Sequence, residues 1–176
     1  MKAIDRTGVD YYIQVSDVEL IQQIVREIPY PMPVCVNIGA GMGTSSLAML
    51  EARDDALVYS IDIEDTGEDA VIREENPVYL ERYIFSKGRS QDIGKTWCPR
   101  SVDFVFIDGG HTYHECYDDG LIWYDAVKPG GVMAFHDYEA DMLPAIKQAV
   151  DDVTSRLGVE EIAHVGKMIV FRKGWK

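Results

Sequence analysis

Cysteine is scarce in this chain of 176 residues, and the three present, Cys35, Cys98 and Cys116, are an odd number with no metal-type spacing. That argues against a disulfide framework or a thiolate metal cluster and points to a reducing compartment. Cys35 also lies inside an apolar run, where a buried thiol is ordinary. Basic residues are scarce too: 17 Lys and Arg stand against 30 Asp and Glu, a formal net charge of -13. Such a charge repels a phosphate backbone at long range, so nucleic acid is not the expected partner. The acids are scattered in short groups, as in Glu51-Ala52-Arg53-Asp54-Asp55 and Glu64-Asp65, and read as a solvated surface. No window reaches the roughly 18 to 20 apolar residues that a membrane span needs. A charged leader followed by an apolar stretch is also missing, so the expected location is the cytoplasm. With no internal repeat and no linker rich in Gly, Ser or Pro, one domain over 1–176 is expected. It divides into an N-terminal helical segment, 1–33, and a core, 34–176.

What is present is an alternation of two patterns. Ser16 and Glu19 resemble a capping box, and Val18, Ile21, Val25 and Ile28 then recur at helical spacing until Pro29 and Pro31. Short apolar runs without a polar face follow at Val34 to Ile38, Leu57 to Ile61, Val102 to Ile107 and Val132 to Phe135. Strands of that kind must be covered on both sides, as parallel strands between helices are. Helices are predicted between them over Thr44 to Ala52, Ala70 to Tyr83, Arg89 to Trp97 and Tyr113 to Val127, the last with Tyr113, Tyr117, Leu121 and Tyr124 on one face. Ile84 to Ser86 is a further short strand. A final helix carrying Leu143, Ile146, Val150, Val153 and Leu157 should end at Gly158. Strands Val159 to Val165 and Met168 to Phe171 then meet across Gly166-Lys167, a turn too short for a parallel crossover. The pattern is that of an α/β fold: Rossmann-like, doubly wound, with a mostly parallel seven-stranded sheet and an antiparallel last strand.

The chemistry concentrates at strand ends. Asn37-Ile38-Gly39-Ala40-Gly41-Met42-Gly43-Thr44 leaves a buried strand and opens a helix, and a turn without Cβ atoms lets a ligand lie against the backbone. A dinucleotide fingerprint would want glycine where Thr44 stands, which disfavours NAD. Asp62 closes the next strand, where a carboxylate can accept both hydroxyls of a ribose; the alternative is an acid facing water. Two more strands end as Ile107-Asp108-Gly109-Gly110-His111 and Phe135-His136-Asp137-Tyr138. In an open α/β sheet these ends converge on the crevice of the glycine turn.

With the Lys128-Pro129-Gly130-Gly131 turn, these segments resemble the class I S-adenosylmethionine-dependent methyltransferases, and especially the subgroup of macrolide-sugar O-methyltransferases and cephalosporin-hydroxylase-like proteins. The likeness covers roughly residues 34 to 173. It implies a methyltransferase with S-adenosylmethionine as cofactor. Gly39, Gly41 and Gly43 would line its methionine portion, Asp62 would hold its ribose, Ser90 would approach its adenine, and Asn37 and Asp108 would belong to the same site. The sequence departs from the family at position 37, asparagine for an acid, and at position 89, arginine for an acid. The resemblance to metal-dependent O-methyltransferases further implies a divalent cation, Mg²⁺ or Mn²⁺, on Asp108 and Asp137. His136 beside them fits Mn²⁺, Fe²⁺ or Zn²⁺ as well as it fits Mg²⁺. His111, three residues after Asp108, is the expected catalytic base, unless it merely caps the helix beginning near Tyr113. His114 and His164 are expected to have no chemical role.

The expected reaction is O-methylation of a small-molecule acceptor, which asks little of the protein beyond alignment of acceptor, methyl carbon and leaving sulfur. Met1 to Val15, with Tyr11 and Tyr12, or a second subunit in a homodimer, would roof the acceptor pocket. Two other readings compete: a non-catalytic cofactor-binding module, favoured by Asn37 and Arg89, and an NAD-dependent oxidoreductase.

Overall fold

The computed structural model describes residues 2–8 and 12–175. Its elements run α1 (Ala3–Arg6), α2 (Val15–Glu27), β1 (Val34–Ile38), α3 (Thr44–Ala52), β2 (Leu57–Asp62) and α4 (Glu68–Glu75). A 3-10 turn (Pro77–Glu81), β3 (Tyr83–Lys87), α5 (Ser90–Lys95), β4 (Val102–Ile107) and α6 (Tyr113–Ala126) follow, then β5 (Val127–Phe135), α7 (Pro144–Leu157), β6 (Glu160–Val165) and β7 (Met168–Arg172). The strands form one seven-stranded sheet in the order β3-β2-β1-β4-β5-β7-β6. β1 to β5 pair in parallel, and β7 lies antiparallel between β5 and β6. The fold is therefore Rossmann-like, with helices on both faces of a mostly parallel sheet.

Strand alternation explains the two cores. Cys35, Phe104, Phe106 and Val170 face α1, α2 and α3, where they pack with Ile21, Val25, Leu47 and Leu50. Their neighbours in sequence, Val36, Val105 and Ile169, face the opposite way and pack with Trp123, Val150 and Val153 from α6 and α7. At the N-terminal edge of the sheet, Asp103 ties three strands together. It accepts the Val34 N–H at 2.8 Å and the Lys128 ammonium at 2.7 and 2.8 Å.

Four elements differ from the sequence prediction. The helix expected over Ala70 to Tyr83 stops at Glu75 because Pro77 forces Asn76 into an extended conformation (φ -159°, ψ 109°). α2 starts one residue before Ser16: Asp17, not Glu19, closes the capping box, accepting the Gln14 N–H at 2.8 Å. β5 begins at Val127, and Lys128 to Gly131 forms a bulge inside it, since Val102 pairs with Val127 and Phe104 with Val132. α1 was not foreseen. It is fastened to the core by the Ala3 N–H on the Glu51 carboxylate (3.2 Å) and by Arg6 Nη2 on the Met42 carbonyl (2.8 Å). No helix among the described residues is long and apolar enough to cross a membrane.

Candidate functional site

The strand order reverses between β1 and β4, and a crevice opens there outside their carboxyl ends. It is a cavity of about 390 Å³, bounded by the turn after β1 (Gly39, Ala40, Gly41), Asp62, Arg89 and Ser90 at one side. Asp108, His111, His136 and Asp137 bound the other. Tyr12 and Ile13 also line it, so the stretch before α2 reaches the site; Tyr11 lies outside the described residues.

The three glycines of the turn serve different ends. Gly39 has φ 91°, and a Cβ there would overlap the carbonyl oxygen of Asp108 and lie 2.7 Å from its carbonyl carbon. Its bareness lets two strand ends touch. Gly41 (φ 52°) would place a Cβ in open space, which makes it the glycine that exposes backbone to the cavity. Gly43 is not among the lining residues; a Cβ there would meet the Glu68 side chain at 2.9 Å. Asp62 holds the turn in shape, accepting the Ala40 N–H at 2.9 Å and the Glu64 N–H at 3.0 Å, and its carboxylate still borders the cavity.

Asn37 sits behind the turn, fully buried and outside the lining. Its amide nitrogen donates to Ser46 Oγ (2.9 Å) and Ser60 Oγ (3.3 Å), and its oxygen accepts from Ser45 Oγ (3.3 Å). Ser60 Oγ in turn donates to Glu68 Oε2 at 2.7 Å. Burial pushes the Glu68 carboxyl up to about 7, against the pull of the Ser46, Ser60 and Tyr83 hydroxyls around it. A buried acid thus lies close behind position 37, reached through serines.

At the other side, the loops after β4 and β5 bring three groups together: ligand atoms of Asp108, His111 and Asp137 lie within 4.8 Å of one another. His111 Nε2 is 3.4 Å from Asp137 Oδ2. That carboxylate raises the imidazole pKa and is itself lowered by it. His111 does not cap α6; Thr112 does, accepting the Glu115 N–H. Asp137 has a left-handed φ of 57°, unfavourable for a residue with a Cβ, and its aim into the site depends on that conformation.

His136 belongs to a second layer. It is 4% exposed, with Nε2 3.3 Å from Asp17 Oδ2 and Nδ1 3.2 Å from Asp108 Oδ1. Burial works against its charge, but Asp108 and Asp17 outweigh burial and push its pKa up to about 10. Burial raises the Asp108 carboxyl, and His136 opposes the rise. A cation would therefore find Asp108, His111 and Asp137 convergent, whereas the sequence had suggested Asp108, His136 and Asp137. His114 is exposed against the Tyr113 ring, and His164 lies against Tyr138, away from the cavity.

Sequence reasoning missed Asp17, Glu68 and Asp119, all acids on helices. Asp119 is fully buried and accepts a hydrogen bond from Ser90, a lining residue. The signal for it was Gly120: glycine costs stability inside a helix, and here a Cβ would crowd Val153 at 3.0 Å. That face of α6 had to be buried.

A family model described as a methyltransferase domain matches residues 36–138, the stretch from β1 to the end of β5 that builds this crevice. The chain belongs to the methyltransferase-domain family. Its fold is that of the class I S-adenosylmethionine-dependent methyltransferases. A curated relative, an uncharacterized protein of Acanthamoeba polyphaga mimivirus, is 33% identical over 83 residues. That match takes in 44% of this chain and 37% of the relative's length. Among solved structures, a Corynebacterium glutamicum protein superposes with a TM-score of 0.80 at 17% identity, covering 99% of this chain and 90% of that one. The O-methyltransferase TomG from Streptomyces achromogenes, solved in complex with SAM, gives a TM-score of 0.74 at 17% identity (99% and 91%). The O-methyltransferase NovP gives 0.70 at 21% (92% and 81%). At these identities the methyltransferase domain shares their fold.

Proposed function

We propose that this methyltransferase binds S-adenosylmethionine in the cavity and methylates a hydroxyl of a small molecule. The observation that carries this reading is one continuous cavity with the glycine turn and Asp62 at one side and the His111–Asp137 pair at the other. Two structures of this fold, TomG and NovP, are O-methyltransferases, and TomG holds SAM. When bound, the cofactor supplies an electrophilic methyl carbon whose bond to sulfur breaks as the acceptor oxygen attacks. Gly39 and Gly41 face its methionine portion, Asp62 its ribose and Ser90 its adenine.

His111 is the base. Asp137 engages Nε2, which fixes the proton there and leaves Nδ1 as the lone pair that takes the acceptor's hydroxyl proton. Tyr12 and Ile13, with exposed Met42 and Ile63 at the rim, give the acceptor apolar contact.

A second reading is favoured by the convergence of Asp108, His111 and Asp137. Two carboxylates and an imidazole suit a divalent cation such as Mn²⁺, which would lower the acceptor's pKa and leave His111 a ligand. Isothermal titration with S-adenosylmethionine, S-adenosylhomocysteine and NAD, each with and without Mg²⁺ or Mn²⁺, decides between these. Binding of the first two alone supports the proposal; binding of NAD alone overturns it. Cation-dependent turnover selects the second reading. Sedimentation velocity on the same samples tests the homodimer.

A further inference from the structure

The wall of the cavity beyond β3 carries three consecutive side chains, Arg89, Ser90 and Gln91. Arg89 is exposed and offers only donors. Gln91 can turn either end of its amide outward, so it imposes no preference. Ser90 is different. It is 7% exposed, and its Oγ donates to Asp119 Oδ1 at 2.5 Å. A separation that short marks a strong hydrogen bond from hydroxyl to carboxyl oxygen. Asp119 itself is 0% exposed on α6, and its other oxygen, Oδ2, has no hydrogen-bond partner. Oδ1 accepts whether the carboxyl is ionised or carries a proton on the unpartnered Oδ2, so the single hydroxyl proton of Ser90 is committed away from the cavity. What Ser90 turns toward a ligand is lone pairs.

We propose that Asp119 is a positioning residue that makes Ser90 an obligate acceptor, and that this pair selects an amino group over a carbonyl at the 6-position of the purine. The inference rests on the reading that the cavity holds an adenosyl cofactor with its base near Ser90. A 6-amino purine presents N–H to the Ser90 lone pairs. A 6-oxo purine presents lone pairs to lone pairs, and a buried acceptor left facing another is strongly disfavoured. Burial pushes the Asp119 carboxyl up to about 7, with Ser90 as the first group opposing that rise and Arg89 also lowering it. Ser90 thus donates to Asp119 against the effect of burial, and the carboxyl oxygen Oδ1 keeps the Ser90 proton turned from the cavity.

The test is isothermal titration of the wild-type protein, Ser90→Ala and Asp119→Asn with S-adenosylhomocysteine and with S-inosylhomocysteine. Wild type should prefer the adenosyl ligand by roughly 10- to 100-fold. In Ser90→Ala no oxygen remains to discriminate. In Asp119→Asn the new amide can donate to Ser90 and release its proton toward the cavity. In both variants the preference should shrink to within about threefold. Equal weakening of both ligands, with the preference intact, would mean that Asp119 only supports the fold, and the inference fails. A wild type that binds both ligands equally also overturns it and leaves the cofactor reading standing. A wild type that binds neither overturns the cofactor reading itself. Should Asp119→Asn not fold, the wild-type preference and Ser90→Ala decide alone.

Discussion

Replacing Gly39 and Gly41 in turn by alanine separates the two functions of the turn after β1. At Gly39 the new methyl would lie 2.7 Å from the Asp108 carbonyl carbon and 3.1 Å from Gly109 Cα, both backbone atoms that cannot rotate away. A left-handed conformation costs a residue with a Cβ about 1–2 kcal/mol. Forcing a methyl into a packed contact adds about 1–3 kcal/mol. Gly39→Ala should therefore lose roughly 2–5 kcal/mol, a large share of the roughly 5–15 kcal/mol that a domain has. At this chain length each kcal/mol lowers Tm by about 2–4 °C. At Gly41 a Cβ meets nothing within 4 Å, so only the backbone term remains. Gly41→Ala should lose about 1–2 kcal/mol and mainly weaken S-adenosylhomocysteine, because Gly41 lines the cavity. Urea unfolding and thermal melts give the stabilities, and titration gives the affinity. Should the two variants melt together, the claim that Gly39 exists for contact between β1 and β4 is wrong.

Three further outcomes are expected. His111→Ala should lower turnover by about 10²- to 10⁴-fold with S-adenosylmethionine affinity within twofold of wild type, as a general base acting only in the chemical step requires; steady-state kinetics at wild-type rate would remove His111 from the mechanism. Glu68 is raised from 4.5 to about 7 in the folded protein, so the native state holds a proton that the unfolded chain has released between those values. Stability must then fall as pH rises through that window, by up to about 3 kcal/mol. Glu68→Gln should flatten this part of the pH–stability curve measured by urea unfolding, and an unchanged slope refutes the assignment. Asp17→Ala removes the acceptor for the Gln14 N–H and the carboxylate beside His136 Nε2, and should cost about 2–4 kcal/mol in thermal or chemical unfolding.

Sequence sufficed where one physical constraint dominated. β1 and β4 begin and end where their apolar runs do, because a strand covered on both faces admits a polar residue only where partners satisfy it, as they do at Asn37 and Asp103. α3 and the Gly158 end of α7 were equally legible, from the glycine turn and a left-handed cap. The misread elements are those where local chemistry competes with periodicity: Pro77 cuts a helix whose apolar spacing continues past it, and Gly130 admits a bulge inside β5. In the site, Asp62, Asp108, His111 and Asp137 were found because strand ends announce themselves. Asp17, Glu68 and Asp119 were not, because an acid on a helix reads as solvated surface unless the face it occupies is known to be covered. His136 could be found but not placed, since only the packing of α2 puts Asp17 behind it.

The slotting of β7 between β5 and β6 has a consequence for how the chain is made. On the ribosome, residues 132 to 135 emerge long before 169 to 172, their pairing partners across that seam. Until then the outer edge of β5 is an open, apolar template of the kind that recruits stray strands. β6 cannot close it, since its hydrogen bonds run to β7. The crevice walls from β1 to β4 can thus form early in synthesis, while protection from aggregation arrives only with the strand that completes the seam.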